Sequence, residues 1–394
     1  MSPSRVFAMD GSVAVLLALA LGLVYFFDRA PATSDLTSKL AKIPETKLGA
    51  AASLRLAVTP HQYDDMGSLL GQLGSGFAYR NIRLEDLEDV SKLVEFDVVF
   101  LTCGTAAKGW VVGGDLGEGD GPGVHVVQLN EQALDRVKES LRTFVGRGGT
   151  LYASDWRLDL IRYSFPELFD GQDIVTGAAQ TITAEVVDPG LRDVLGPTAE
   201  LRFDLPGWYP AGLSGEQVTL YLRGSYRTNN GGGSRVVAPL LVKALFERGT
   251  IIFTSFHNEK VNSELETKLL RFLVFAAVTA KETAQAQKTM IAGGFSPQKQ
   301  DLLSASPETP SVTKTYTNVK RGRLQFVLSF ADQGARLQLS VRSPEGRTYE
   351  QEGASTFTID VDNAELGNWT YKVTAVKIPY PNFPFTLTIG GNQP

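Results

Sequence analysis

Short apolar runs alternate with amphipathic segments from Leu54 onward. The runs "LRLAVTP", "FAYRNI", "DVVFLTCGT" and "TLYASD" predict strands, because they are rich in β-branched and aromatic residues. Between them, "DDMGSLLGQLG", "LEDLEDVSKLVEF" and "NEQALDRVKESLRTFVGRGG" predict helices. Asn130 is the expected N-cap of the last of these. Strands that alternate with helices predict a doubly wound α/β domain with a parallel sheet covered on both faces.

The regular alternation stops at about residues 172–237. "TITAEVVD", "AELRFDL" and "VTLYLRGSYR" predict strands joined by loops, which indicates a β-rich antiparallel insertion. The apolar run "TIIFTSFHNEK" then closes the α/β domain, to which we assign residues 54–280. Residues 281–314 are rich in Pro, Ser, Gln and charge without sustained periodicity, which predicts an extended linker.

The last part, residues 315–394, alternates apolar and polar positions between turn signals such as "SPEG". This pattern predicts an all-β domain, a β-sandwich of jelly-roll type. The run "GNWTYKVTA", with Trp369 inside it, resembles the closing strands of pre-peptidase C-terminal modules. That resemblance implies a domain that binds or braces other surfaces.

The N-terminus has a third pattern, a continuous apolar stretch from Val13 to Phe27 that extends back to Val6 if Asp10 is tolerated near one membrane interface. Its length is close to the ~20 residues that a helix needs to cross a bilayer. We therefore predict a transmembrane anchor at residues 1–33, in contact with lipid through residues 6–27, and a polar tether at 34–53. A single span behind a short tail favours an inner-membrane protein with periplasmic domains. The flat distribution of flanking charges leaves a cytoplasmic orientation open, and "RAPA" leaves cleavage of the anchor open.

Composition narrows the function classes. A net charge of −5 and a pI near 5.5 argue against nucleic acid as a partner, because such binding needs clustered Lys and Arg. The single cysteine, Cys103, excludes an intrachain disulfide. With only three histidines in the chain, no metal site and no cofactor are predicted. The acidic segment 113–123 lacks the spacing of a calcium loop and is interpreted as a solvated loop.

In a parallel sheet, reactive groups gather at the carboxyl ends of the strands. Three such ends carry polar residues: Cys103 after one strand, Ser154 and Asp155 after another, and His257 with Glu259 at the end of the closing strand. These ends are the candidate functional site.

The run "RGTIIFTSFHNEKVNSELETKLLRFLVF" resembles the closing strand and helix of class I glutamine amidotransferase-like domains, in which a strand ends in a Phe-His-Pro-Glu signature. The resemblance places His257 on the catalytic histidine and Glu259 on the glutamate that orients it. Asn258 replaces the proline, and Ser154 stands where the family has its cysteine. A hydrolase that uses Ser154, His257 and Glu259 is therefore one hypothesis.

The loss of the cysteine favours a different hypothesis. A serine needs an aligned base and an oxyanion hole, and the turn after Ser154 has no glycine. Relatives of this superfamily without the cysteine, such as ThuA-like proteins, resemble the chain better. Cys103 comes too early in the chain to be the nucleophile. Residues that can line a binding cleft instead are Cys103, Asp155, Trp156, Trp208 and Tyr209, although for Trp208, Tyr209 and Tyr226 the favoured interpretation is that they fill the core of the insertion.

Two classes of function follow. The first is a membrane-anchored, non-catalytic accessory or scaffold protein that binds a partner membrane complex or an envelope ligand. The second is an enzyme, the hydrolase described above, and a third hypothesis makes the strand ends a binding site for a sugar or small polar ligand. Glutamine-dependent ammonia transfer is the least favoured, because the chain lacks a cysteine at position 154 and an acceptor domain.

Overall fold

The structure is a computed structural model. It describes residues 54–60, 63–104, 130–171, 173–229, 234–257, 264–331 and 334–392. All of these belong to one compact unit, Ala50–Pro394. The predicted membrane span and tether, the acidic segment 113–123 and Glu259 lie outside the described residues. Within the described ranges, every helix falls short of the length and apolarity needed to cross a membrane.

One half of a nine-stranded sheet is parallel. Its strands are β1 (Leu56–Val58), β2 (Tyr79–Asn81), β3 (Val98–Leu101), β4 (Thr150–Ser154) and β9 (Gly249–Thr254). They lie side by side in the order β2-β1-β3-β4-β9, and each neighbouring pair is parallel. Strands β3, β4 and β9 are buried along their whole length, which explains why apolar residues dominate their sequences.

Helices cover both faces of this half, as predicted. The helices that cover it are α1 (Met66–Leu73), α2 (Val90–Leu93), α3 (Glu131–Gly146), α4 (Leu158–Ser164) and α6 (Glu264–Val278). Helix α5 (Pro189–Leu195) packs against the other half of the sheet. Alternate residues of each strand enter different cores: Phe100 packs in the core that contains α1 and α6, and Leu101 in the core that contains α3 and α4. Asn130 caps α3, with its side chain accepting from Ala133 N at 3.2 Å.

The other half of the same sheet is antiparallel. It consists of β5 (Gln180–Val186), β6 (Thr198–Phe203), β7 (Val218–Arg227) and β8 (Arg235–Phe246). The order continues β9-β8-β7-β5-β6, with β8 antiparallel to β9 over six residue pairs. The predicted insertion is thus an extension of the main sheet, joined to it through β8, a strand that the sequence pattern did not separate from its surroundings.

The C-terminal part consists of two four-stranded antiparallel sheets. Its strands are β10 (Phe295–Ala305), β11 (Ser311–Asn318), β12 (Gly322–Ser329), β13 (Arg336–Arg342), β14 (Thr348–Gly353), β15 (Phe357–Ala364), β16 (Gly367–Lys377) and β17 (Phe383–Asn392). The strand orders are β10-β17-β12-β15 and β11-β16-β13-β14. Phe326 and Leu387 of one sheet share a core with Leu339 and Trp369 of the other. The predicted all-β region is confirmed.

The segment 281–314 is not an extended linker. Helix α7 (Ala280–Ala292) starts two residues after α6 ends, and β10 and β11 each supply an outer strand to a C-terminal sheet. Met290 of α7 packs against Phe295 and Val327, and Thr283 donates to Thr386 Oγ1 at 3.0 Å. The polar composition of this segment reflects a helix and two edge strands that each bury only one side.

Candidate functional site

Three polar side chains meet where three neighbouring parallel strands end. Cys103 follows β3, Asp155 follows β4, and His257 lies three residues beyond β9. The thiol sulfur, a carboxylate oxygen and an imidazole nitrogen of these residues all lie within 4.8 Å of one another. The expectation that polar strand ends come together is correct for these three residues.

Asp155 occupies the sharp turn between β4 and the following helical segment. Its φ is 42°, a left-handed conformation that strains a residue with a Cβ, and a single 3-10 turn, Asp155–Arg157, leads into α4. The carboxylate is held in place by the backbone N–H of Tyr209, which donates to Oδ1 at 2.7 Å. A strand, a strained residue and a helix form the geometry of a nucleophile elbow. The sequence resemblance placed Ser154 at this turn, whereas the structure places Asp155 there.

Asp155 and His257 form an ion pair, with Nε2 of His257 2.8 Å from Oδ2 of Asp155. The Asp155 side chain is 2% exposed and the His257 side chain 25% exposed, so the pair lies at the border between core and solvent. His257 Nε2 has no aligned hydrogen-bond partner among the described residues, which makes the contact a charge pair rather than a directed hydrogen bond.

The protonation of the pair follows from two opposed effects. Burial raises the pKa of Asp155, and the contact with His257 opposes that rise. Burial also lowers the pKa of His257, but the contacts with Asp155 and Cys103 outweigh it and raise the pKa to about 11. The imidazole is therefore protonated at neutral pH, and it is not available there as a general base.

Cys103 is fully buried beside this pair. Its thiol donates to Asp155 Oδ2 at 3.9 Å, and burial raises its pKa. The thiol therefore stays protonated at neutral pH, in contrast to the thiolate that a nucleophilic cysteine needs. Its backbone N–H donates to Ser154 Oγ at 3.0 Å, which fixes the position of the β3 end against β4.

Ser154 has a structural environment. It is fully buried, and its hydroxyl donates to the buried carboxylate of Asp64 while accepting from Cys103 N. The bond to Cys103 N joins the neighbouring ends of β3 and β4, the bond to Asp64 joins β4 to the segment before α1, and neither bond reaches His257. The third member of the proposed triad, Glu259, lies outside the described residues. The hydroxyl is thus bound as a cross-link rather than presented to solvent.

We predict that Ser154→Ala lowers the free energy of unfolding by about 1–2 kcal/mol, because the substitution leaves the buried Asp64 carboxylate without one of its donors. Ser140→Ala is the matched control, since Ser140 Oγ is buried on α3 with no hydrogen-bond partner among the described residues. That control is expected to be neutral or slightly stabilising. Urea denaturation of both variants measures the difference, and equal losses would show that the Ser154 hydrogen bonds contribute nothing.

Aromatic rings border the ion pair on its exposed side. The ring of Tyr63 lies parallel to that of His257 at 6.2 Å and meets Trp156 edge-on at 5.4 Å. Trp156 Nε1 donates to Gly207 O at 3.2 Å, which links this wall to the antiparallel extension. Tyr209 contributes its backbone N–H to Asp155, as described above, and its side chain is half-buried. Tyr63 and Trp156 thus form a half-buried rim beside His257.

Trp208 does not belong to that rim. It is 2% exposed, stacks on Phe203 at 3.9 Å, and lies 4.8 Å from the ring of Tyr226. Its Nε1 donates to Ala178 O at 2.9 Å. Trp208 and Tyr226 therefore fill the core of the extension, as the favoured interpretation of these aromatic residues predicted.

Three site residues escaped the sequence analysis. Asp64 and Tyr63 follow the end of β1, and Arg157 lies two residues beyond Asp155, where it is 1% exposed and donates to Thr102 O at 2.9 Å. The same strand-end rule that selected Cys103 and Asp155 applies to β1, so its polar "QYDD" stretch was the available signal. Burial of Arg157 had no such signal.

Comparison with known proteins finds only distant structural neighbours. No protein-family model and no curated protein matches the sequence. Among solved structures, a candidate GMP synthase protein from Thermoplasma acidophilum is 13% identical, with a TM-score of 0.37, and the match covers 59% of this chain and 98% of that protein. PurLQS from Thermotoga maritima is 13% identical, with a TM-score of 0.37 and coverages of 56% and 96%.

A ThuA-like protein from Parabacteroides merdae is 11% identical, with a TM-score of 0.35, and the match covers 58% of this chain and 90% of that protein. Glutamine amidotransferase-like and ThuA-like folds are thus among the structures similar to this chain, at low identity and low TM-score. The resemblance of the C-terminal part to pre-peptidase C-terminal modules has no counterpart in these matches.

Proposed function

We propose that this protein is a membrane-anchored, non-catalytic accessory or scaffold protein, with an amidotransferase-like domain that binds a partner instead of hydrolysing a substrate. The proposal depends on which residue occupies the sharp turn after β4. Asp155 occupies the position of a nucleophile, and its carboxylate is committed to His257 and to the backbone of Tyr209. Acyl transfer needs a free nucleophile and a neutral base. A buried carboxylate paired with a protonated imidazole provides neither.

In the hydrolase alternative, Ser154 and His257 would act together, but both side chains are engaged in other contacts. Ser154 Oγ is bonded to Asp64 and Cys103 N, and His257 is paired with Asp155. No described hydrogen bond connects the serine to the histidine. Hydrolysis through this pair would first require both contacts to break. For the sugar-binding alternative, Trp156 at the rim is still available to contact a ligand, whereas Trp208 is buried in the core.

The membrane part of the proposal rests on the sequence. The apolar stretch 6–27 has the length of a single span. We propose an inner-membrane location with the body on the periplasmic side. The C-terminal sheets, proposed as a jelly-roll-like sandwich, offer a second surface to the same partner complex.

Purification of the full-length chain in mild detergent tests this proposal. We expect it to fractionate with membranes and to co-purify with a membrane protein complex in a fixed stoichiometry. A chain that lacks residues 1–33 is the control, and it is expected to be recovered in the soluble fraction. Protease added to spheroplasts should digest the body if it is periplasmic.

Hydrolase assays give the opposing outcome. We expect no turnover of chromogenic esters or anilides above the rate without protein. Turnover that is lost in both Ser154→Ala and His257→Gln, with both variants still folded by circular dichroism, would replace the scaffold proposal with the enzyme.

A further inference from the structure

The cluster at the strand ends combines three kinds of ligand atom. Cys103 supplies a sulfur, Asp155 an oxygen and His257 a nitrogen, and the three atoms lie within 4.8 Å of one another. Each residue follows the end of a different strand that is hydrogen-bonded to its neighbours, so the backbone that carries the cluster is set by the sheet. This combination has no use in the proposed scaffold function.

We propose that Cys103 Sγ, Asp155 Oδ2 and His257 Nε2 bind one divalent transition metal ion, with Zn²⁺ as the best fit. Zn²⁺ is bound by thiolate, imidazole and carboxylate together, at bond lengths of about 2.0–2.3 Å. Ca²⁺ and Mg²⁺ prefer oxygen ligands and are disfavoured by the thiolate and the imidazole.

The spacing of the ligand atoms suits a tetrahedral ion. Those bond lengths place two ligand atoms of a tetrahedron about 3.3–3.6 Å apart. In this structure Asp155 Oδ2 is 2.8 Å from His257 Nε2 and 3.9 Å from Cys103 Sγ. The two distances lie on either side of the tetrahedral value, so small side-chain rotations accommodate the ion.

The surroundings of the ligands hold them in place. Tyr209 N–H occupies Asp155 Oδ1 at 2.7 Å and leaves Oδ2 directed at the other two ligands. Cys103 is anchored through its backbone N–H, which donates to Ser154 Oγ, and that hydroxyl in turn donates to Asp64. Hydrogen bonds of this kind orient metal ligands and raise the affinity of a site.

Charge balance also permits a dication. Arg157 is buried beside the cluster, where its Nε donates to the backbone oxygen of Thr102 at 2.9 Å. A thiolate and the Asp155 carboxylate then carry two negative charges that a divalent ion neutralises. The ion takes the place of the protons on the thiol and the imidazole.

One coordination position remains for a small molecule. The described residues supply three ligands, and the partly exposed side chain of His257 lies beside the ring of Tyr63, which in turn meets Trp156. Three protein ligands and one open position are the arrangement of zinc sites that bind water or a ligand at the metal. Metal binding is independent of the proposed partner complex, so the two proposals fail separately.

Cobalt titration of the full-length chain, carrying a tag without histidine, tests the site. Co²⁺ bound by a thiolate in a tetrahedral site produces a near-ultraviolet charge-transfer band and intense visible bands. Cys103 is the only cysteine of the chain, so that charge-transfer band reports on this residue alone. We expect one Co²⁺ per chain, displaced by one equivalent of Zn²⁺.

Variants decide whether these residues are the ligands. Cys103→Ser should abolish the charge-transfer band, and His257→Gln should raise the apparent Kd for Zn²⁺ by about tenfold or more. Asp204→Asn, a change at an exposed carboxylate, should leave both unchanged. Absence of the band in the unaltered protein, or unchanged Zn²⁺ affinity in folded Cys103→Ser and His257→Gln, would overturn the proposal.

Discussion

Asp301→Ala is expected to lower the free energy of unfolding by about 3 kcal/mol, the largest effect that we predict for a single substitution. Asp301 lies on β10 and is fully buried. Its carboxylate accepts from the phenol of Tyr371 on β16 and from Lys314 Nζ on β11 at 3.1 Å, and Lys299 Nζ lies 3.6 Å away. Removal of the carboxylate leaves a buried phenol without an acceptor and two lysines with fewer counter-charges.

The position of Asp301 explains why the effect is large. β10 belongs to one C-terminal sheet, and β11 and β16 belong to the other, so one carboxylate joins both sheets. The two lysines also pair with Asp193 of α5, at 3.0 Å from Lys299 and 3.4 Å from Lys314. The cluster thereby connects the C-terminal sheets to the α/β domain. Burial and the nearby carboxylate raise the pKa of Tyr371, so the phenol remains a donor.

Asp204→Ala is the control for this prediction. Asp204 pairs with Arg202 at 2.6 Å, but both side chains are more than half exposed, so water screens the pair. We expect a change below about 0.5 kcal/mol in urea denaturation followed by circular dichroism. A similar small change for Asp301→Ala would mean that the buried cluster contributes no net stability.

Gly249→Ala is expected to lower the free energy of unfolding by about 2–3 kcal/mol, because a methyl group there overlaps with backbone. Gly249 is the first residue of β9 and is buried. A Cβ at this position would lie 2.5 Å from Gly149 O and closer still to Val145 O, at the end of α3. Carbonyl oxygens of a helix end and a strand start cannot rotate away as a side chain does, so β9 itself must move.

The measurement again is urea denaturation, with Gly71→Ala as the matched control. Gly71 is an exposed residue of α1, and a Cβ there meets nothing within 4 Å. Alanine is expected to stabilise the helix by about 0.5–1 kcal/mol, since it restricts the unfolded chain. If both variants lose stability equally, backbone overlap at Gly249 is not the cause. Because β9 carries His257 to the site, the Gly249 variant should also weaken metal binding.

Much of the fold was predictable because its elements follow local rules. The buried runs that became β3 and β4 and the helical spacing of Leu134, Val137 and Leu141 each specify an element without reference to the rest of the chain. The outer strands β10 and β11 were missed. Each buries only part of its surface, as the mixed burial along β11 shows, so neither displays a continuous apolar run.

The candidate site was predictable in its location but not in its contacts. The strand-end rule selected Cys103, Asp155 and His257, and these residues do meet. The resemblance to amidotransferase-like domains placed Ser154 at the turn, whereas Asp155, the next residue, adopts the positive φ. A shift by one residue at a strand end moves a side chain from one face to the other, and no local signal distinguishes the two registers.

The sequence by itself determined the class of most elements, the alternation of strands and helices in the parallel half, the all-β character of the C-terminus and the polar ends of three strands. Only the tertiary structure decided which of those polar groups face one another. It buried Ser154 against Asp64, turned Asp155 toward His257, and joined the antiparallel extension to the main sheet. The physical reason is that periodicity and capping act within about one turn or one strand. The contacts of Ser154 with Asp64 and of Asp155 with His257 join residues 90 and 102 positions apart, so they depend on which strands the sheet places side by side.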